Sequence, residues 1–246
     1  MIQEYTTPAG RVYSLFEDML SQPHLLIAGA TGSGKSVVIN GLISTALYNL
    51  PTQSRFILID PKRVELAEYR HLPHVVSYAS EPANMIGALR LAMDICETRY
   101  KDMQRRGARM YVGSDLYVFI DELADLLTVA ATKRAATEYI QRLCQIGRAA
   151  RVHIVGATQR PTADIIGAKI TCNMDARVAL HTRSAQESRN ITGFTGCENL
   201  PRYGYGYYMR PGECDLYKIP MIDDTERAAL IHYWKTQKPK IRLFAR

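Results

Sequence analysis

Short apolar runs of strand length alternate along the chain with longer stretches whose apolar residues recur at helical spacing. The runs cover residues 25–28, 56–60, 117–121, 152–157 and 177–181. Almost uninterrupted by charge, they predict strands covered on both faces. Between them the spacing predicts helices over residues 35–48, 83–106 and 134–146, with Pro51, Pro73, Gly107, Gly113 and Pro161 in the connections. This alternation predicts an α/β fold with a mainly parallel central sheet flanked by helices.

After Asn190 the pattern changes. Gly193, Gly196, Pro201, Gly204, Gly206, Pro211 and Gly212 are interleaved with Tyr203, Tyr205, Tyr207, Tyr208 and Tyr217, which predicts a β-hairpin or small meander, since glycine supplies turns and tyrosine suits half-buried strands. The tyrosines fit edge-strand packing, and a base-stacking surface is the other reading. Asp223-Asp224-Thr225-Glu226 has the form of a helix start, and a basic tail follows Trp234. The expected organisation is a single domain over residues 1–246: a lead-in to residue 22, a core over 23–190, then hairpin, last helix and tail.

Composition narrows the class. With 47% apolar and 22% charged residues in 246, a disordered or fibrous chain is excluded. No apolar run approaches the roughly 18 residues needed to cross a bilayer, and the polar start is no signal peptide, so no membrane insertion is expected. Cys96, Cys144, Cys172, Cys197 and Cys214 are odd in number and never spaced C-x-x-C, which points to a reducing, cytoplasmic setting and away from a zinc site. A net charge of +7 permits a polyanionic partner without requiring one.

The chemistry begins where the first strand ends. Gly29-Ala30-Thr31-Gly32-Ser33-Gly34-Lys35-Ser36 fits G-x-x-x-x-G-K-[ST] and opens a helix that continues through Val37. In that pattern backbone N–H groups curl around a β-phosphate, Lys35 supplies charge to the β- and γ-phosphates, Ser36 ligates Mg²⁺, and the helix N-terminus adds its dipole. A later apolar strand ends in Asp121-Glu122. Asp121 is placed to hold the Mg²⁺, and Glu122 to orient and deprotonate an attacking water. A further strand ends in Thr158-Gln159, making Gln159 a candidate γ-phosphate sensor. No [NT]-K-x-D run marks a guanine site, so the expected nucleotide is ATP.

Taken together, residues 23–37, Leu58-Ile59-Asp60-Pro61-Lys62, Asp121-Glu122-Leu123-Ala124-Asp125, Gly147-Arg148-Ala149-Ala150 and Ala157-Thr158-Gln159-Arg160-Pro161 resemble the FtsK/SpoIIIE family of DNA-pumping ATPases. The resemblance implies a RecA-like fold, a ring of six subunits around double-stranded DNA, ATP bound between neighbours, and hydrolysis driving translocation. It implies two pore-facing loops, residues 128–134 and 162–173, whose Lys133, Arg134 and Lys169 would meet DNA phosphates, as suits a pore that passes any sequence. A cation acting from the neighbouring subunit is also implied; Arg148 leads, with Arg151 and Arg189 behind it. Two departures stand out: Arg151 where the family usually has glycine, and Tyr207 where it has an acid after the glycine. The family's segments outside the motor are not found in this chain, which implies a minimal motor such as plasmids, conjugative elements or phages use, targeted by a relaxase or another protein. A conjugation or secretion coupling ATPase acting on single-stranded DNA or protein is the alternative.

Overall fold

The computed structural model describes residues 13–165, 167, 170 and 173–237. Helix α1 (Tyr13–Ser21) leads into β1 (Leu25–Ala28), α2 (Lys35–Asn49), β2 (Ser54–Ile59), β3 (Val75–Ala79), α3 (Pro82–Arg106) and β4 (Asp115–Ile120). The short α4 (Leu123–Leu127), α5 (Ala130–Ala150), β5 (Val152–Thr158), β6 (Ala176–Ala179), α6 (Ala185–Thr192), β7 (Tyr205–Arg210), β8 (Glu213–Lys218) and α7 (Asp224–Thr236) follow. The strands form one eight-stranded sheet in the order β3-β2-β4-β5-β1-β6-β7-β8. Pairing is parallel from β3 to β6, while β7 and β8 run antiparallel as a hairpin on its edge.

Period-two alternation divides the core between the two faces. Leu26 and Ala28 of β1 and Leu116, Val118 and Ile120 of β4 face Met85, Leu89 and Ile95 of α3 and Ile140 and Leu143 of α5. Leu25, Ile27, Tyr117 and Phe119 face Phe16 of α1, Ile39, Leu42 and Ile43 of α2, and Leu230 of α7. The result is three layers with the sheet buried between helices, as the unbroken apolar runs require.

Register positions the chemistry. Ile59 pairs with Ile120, Ile120 with Gly156, and Ala28 with both Thr158 and Ala179. The residues just past these strands, Asp60, Asp121, Gln159 and Gly29, therefore emerge together at the carboxyl edge, where ligands of open α/β sheets sit.

One expectation about the pore-facing loops is overturned. Helix α5 starts at Ala130, with Val129 as an N-cap that makes no side-chain hydrogen bond. Residues 130–134, read as a loop, are thus the helix's first turn, and Lys133 and Arg134 project from helix instead of extended chain. The expected start at Arg134 is four residues late because no capping side chain marks the true one.

Candidate functional site

Gly29-Ala30-Thr31-Gly32-Ser33-Gly34 turns from β1 into α2 as a tight cradle. A side chain at Gly29 would meet Ser33 Oγ at 2.6 Å and Leu180 Cβ at 2.8 Å, and Gly34, the N-cap of α2, holds the left-handed φ of 102°. Lys35 Nζ donates to the carbonyl oxygens of Gly29 and Ala30, each at 2.8 Å. Burial pulls its pKa down to about 8, opposed chiefly by Glu122, and phosphate oxygens would favour its charged form far better than two carbonyls do. Ser33 Oγ is buried with no hydrogen-bond partner among the described residues, a polar atom that an oxygen-rich ligand would satisfy.

Across the cradle stands an acidic group. Asp121 follows β4 and is buried; its pKa is pushed up to about 7, first by that burial and then by the nearby carboxylates of Asp60 and Glu65. Asp60 is buried too, its Oδ2 accepting from Leu66 N at 3.0 Å and its carboxylate facing the Tyr78 hydroxyl. Such crowding of carboxylates suits a divalent cation. Among the described residues no three His, Cys, Asp or Glu side chains converge to hold a metal unaided, which is how Mg²⁺ is bound when substrate phosphates and water complete its shell. Ser36 and Asp121 are the residues that would hold it.

Glu122 caps α4, its carboxylate accepting from Ala124 N at 3.2 Å. The same carboxylate accepts from Thr158 Oγ1 at 2.8 Å and from Gln159 N at 3.0 Å, with Lys62 Nζ at 3.7 Å. Gln159 Oε1 in turn accepts from Thr31 Oγ1 at 2.8 Å. Gln159 therefore links the phosphate cradle to the acid, its side chain bonded to Thr31 and its backbone N–H to Glu122.

The glycine-rich turn, Asp121, Glu122 and Gln159 thus lie together, and Arg148, expected to act from a neighbouring subunit, lies apart from them. It sits in the last turn of α5, exposed, at the amino edge. The seven residues of β5 separate that edge from the cradle by about 20 Å, so Arg148 cannot reach a phosphate held by its own chain. It lines a cavity of about 570 Å³ with Glu17, Gln22 and Asp115. Arg151 is committed elsewhere. Its guanidinium donates to both carboxylate oxygens of Asp115, at 2.8 and 2.5 Å, and its φ is 54°. The left-handed turn that ends α5 explains why glycine suits this position, and the bidentate ion pair compensates arginine's strain there. Arg189 is exposed in the last turn of α6.

Of the DNA candidates, Arg134 is paired with Glu138 at 3.0 Å, and Lys133 lines a cavity of about 300 Å³ with Ala163, Asp164, Ile165 and Ile170. The two segments read as pore-facing are therefore neighbours. Lys169 lies outside the described residues. Sequence reasoning gave no role to Asp60, Lys62 or Thr158, nor to Arg183 and Arg202, and placed Tyr203 in the edge-strand or base-stacking tyrosine cluster instead of at the cradle, where the later part of the chain brings it with Arg183 and Arg202. Arg183 acts on Lys35 electrostatically, and a β-carbon on Gly32 would lie 3.6 Å from Arg202 Nη2. Only the motif context of the first three was visible; the others depend on sheet register.

Comparison with known proteins agrees with this geometry. The FtsK/SpoIIIE family model matches residues 9–115 and 112–163. The chain belongs to the FtsK/SpoIIIE family. It is 35% identical over 269 residues to a DNA translocase FtsK of Rhizobium meliloti, covering 91% of this chain and 30% of that protein. The chain thus spans about a third of the length of that relative. In fold it is similar to the pCW3 conjugation coupling protein TcpA in monomer form with ATPγS, with a TM-score of 0.76 at 22% identity, covering 88% of this chain and 66% of that one. It is also similar to the cytoplasmic domain of the Thermomonospora curvata type VII secretion ATPase EccC, with a TM-score of 0.74 at 22% identity, covering 92% and 29%. The RecA-like P-loop ATPase fold is shared with both, and the FtsK/SpoIIIE family is one of ATPases. No helix among the described residues is long and apolar enough to cross a membrane.

Proposed function

We propose that the chain is a DNA-translocating motor that hydrolyses ATP with Mg²⁺ and moves double-stranded DNA. The observation that carries this reading is the link from cradle to acid: Thr31 to Gln159, Gln159 and Thr158 to Glu122. A nucleotide switch that only binds has no use for a buried glutamate coupled to the phosphate loop, whereas a motor must tie water activation to the state of the nucleotide. In this reading Glu122 takes the proton of the attacking water, Lys35 neutralises charge on the phosphates, and Gln159 reports the γ-phosphate to the rest of the sheet.

The motor acts as one domain and works as an oligomer, a ring of six. Arg148, exposed at the edge remote from its own cradle, reaches the nucleotide of a neighbouring copy. Lys133, Arg134 and Lys169 share the phosphate contacts, each weak enough to release as the next forms. Its setting is a plasmid, conjugative element or phage in the cytoplasm, with a relaxase or similar protein supplying the target.

The test is ATP turnover with no DNA, with single strands and with duplex, alongside displacement of a triplex-forming strand. Duplex should stimulate turnover and drive displacement. Turnover indifferent to DNA would overturn the reading, and stimulation by single strands alone would replace it with a coupling ATPase.

A further inference from the structure

The segment between α6 and β7 returns to the phosphate cradle for a topological reason. Because β7 runs antiparallel to β6, with Ala179 opposite Tyr207, the residues that precede β7 lie at the carboxyl edge beside Gly29 to Ser36. The backbone locks them there. His181 O accepts from Ala30 N at 2.8 Å, the His181 ring bonds Leu200 O through Nδ1 at 2.9 Å, and Gly204 O accepts from Ile219 N at 2.8 Å. One histidine therefore ties the phosphate loop to the start of the 200–204 segment.

What that segment presents is a cation and a ring. A β-carbon on Gly32 would lie 3.6 Å from Arg202 Nη2, 3.7 Å from Arg202 Nε and 3.9 Å from Tyr203 Oη, so both side chains reach the apex of the cradle. Arg202 has no ion-pair partner among the described residues; its guanidinium lies 6.0 Å from the Tyr203 ring centroid. Tyr203 is 66% exposed, unlike Tyr208 and Tyr217, which are buried in the hairpin. An arginine and a tyrosine are thus held by an anchored backbone over a phosphate loop whose Ser33 hydroxyl has no hydrogen-bond partner among the described residues.

We propose that Arg202 and Tyr203 clasp the nucleotide bound in their own chain, the guanidinium pairing with the phosphate chain and the phenol ring packing against the nucleobase. This rests on the reading of the cradle as an ATP site. Arginine suits a phosphate because its planar fork donates two parallel hydrogen bonds, and a tyrosine loses few rotamers when it stacks on a base. Arg202 would join Lys35 and the two cations that act on it electrostatically, Lys62 and Arg183, in balancing the charge of a triphosphate. The tyrosine cluster read from the sequence as packing or base stacking is thereby divided, with Tyr203 reserved for the nucleotide.

The experiment measures binding of ATP and of inorganic tripolyphosphate to the wild-type chain and to K35A, R202A, R202K, Y203A and Y203F, with melting curves for each. R202A should weaken both ligands by on the order of tenfold, with R202K recovering part of the loss. Y203A should weaken ATP by about fivefold and leave tripolyphosphate unchanged, with Y203F restoring ATP affinity. The selectivity between the two ligands is the readout a merely structural role would not move. Wild-type affinity for ATP in both alanine variants overturns the clasp while leaving the ATP site standing, provided K35A still abolishes binding. Equal loss of ATP and tripolyphosphate in Y203A overturns the base contact. Failure of the wild-type chain itself to bind ATP overturns the underlying reading and the clasp together.

Discussion

The two edges of the sheet carry similar charged side chains and use them in opposite ways. At the amino edge Asp115 is matched. Burial would raise its pKa, yet hydrogen bonds from His153 and Arg151 outweigh that and hold it below the usual carboxylate range. Arg99, fully buried, donates to the carbonyl oxygens of Ala150 at 2.9 Å and Arg151 at 2.8 Å and lies over the Tyr111 ring at 4.4 Å. These contacts close the C-terminus of α5 and tie it to α3. At the carboxyl edge the balance fails: Asp121 is pushed up to about 7, Lys35 is pulled down to about 8, and Ser33 Oγ lacks a hydrogen-bond partner among the described residues. Charge satisfied within the chain marks structure, and charge left unsatisfied marks the place where a ligand completes the set.

The largest effect that would break this contrast lies at the carboxyl edge. K35A should abolish ATP binding, and E122Q should bind ATP within about twofold of wild type while hydrolysis falls by roughly a thousandfold or more. Equilibrium binding and single-turnover kinetics separate the two, and normal turnover in E122Q would remove the acid from the chemistry.

At the amino edge the loss should appear as stability instead. D115A leaves Arg151 in a left-handed turn without its partner, and denaturant unfolding should register roughly 3 kcal/mol. ATP affinity should stay unchanged under conditions where the variant is folded. A D115A variant that is fully stable but defective in ATP binding would invert the assignment of the two edges.

A third effect concerns DNA. Removing Lys133, Arg134 and Lys169 together should weaken duplex binding about equally on all sequences and flatten its salt dependence, by roughly one unit of slope per lost contact. Basal ATP turnover should survive. An unchanged salt slope with lost basal turnover would make these segments part of the ATPase machinery.

The smallest effect follows from the proton on Asp121. A carboxyl whose pKa is raised by folding stabilises the fold at low pH, and that contribution disappears as pH rises through about 7. The nucleotide-free wild type should therefore lose a few degrees of melting temperature between about pH 5 and about pH 8 that D121N keeps. Parallel curves for the two proteins would show that Asp121 is not held against its neighbours.

Much of the fold was legible because doubly covered strands must be apolar on both sides, which makes β1, β2, β4, β5 and β6 readable without partners. Strand β3 was not. It is only half-buried apart from Ala79 and carries Ser77 and Tyr78 in its middle, so neither periodicity nor an unbroken run identifies it. The start of α5 was hidden for want of a capping side chain. The cradle, Asp121, Glu122 and Gln159 were legible because each sits at the end of its own strand within a local motif. Arg202 and Tyr203 were not, because what brings them to Gly32 is an antiparallel hairpin registered against β6, and no local spacing encodes that.

In the proposed ring the carboxyl edge of one copy would be completed by the amino edge of another. This claim is tested most directly by mixing two inactive proteins, R148A and E122Q, and measuring ATP turnover against their ratio. R148A alone should bind ATP near normally and fail to turn it over, since its acid is intact and its exposed cation is missing. In a mixture some sites pair a functional Glu122 from one copy with a functional Arg148 from the next, so turnover should appear and peak at intermediate ratios. Turnover no higher in any mixture than in either variant alone would contradict the claim.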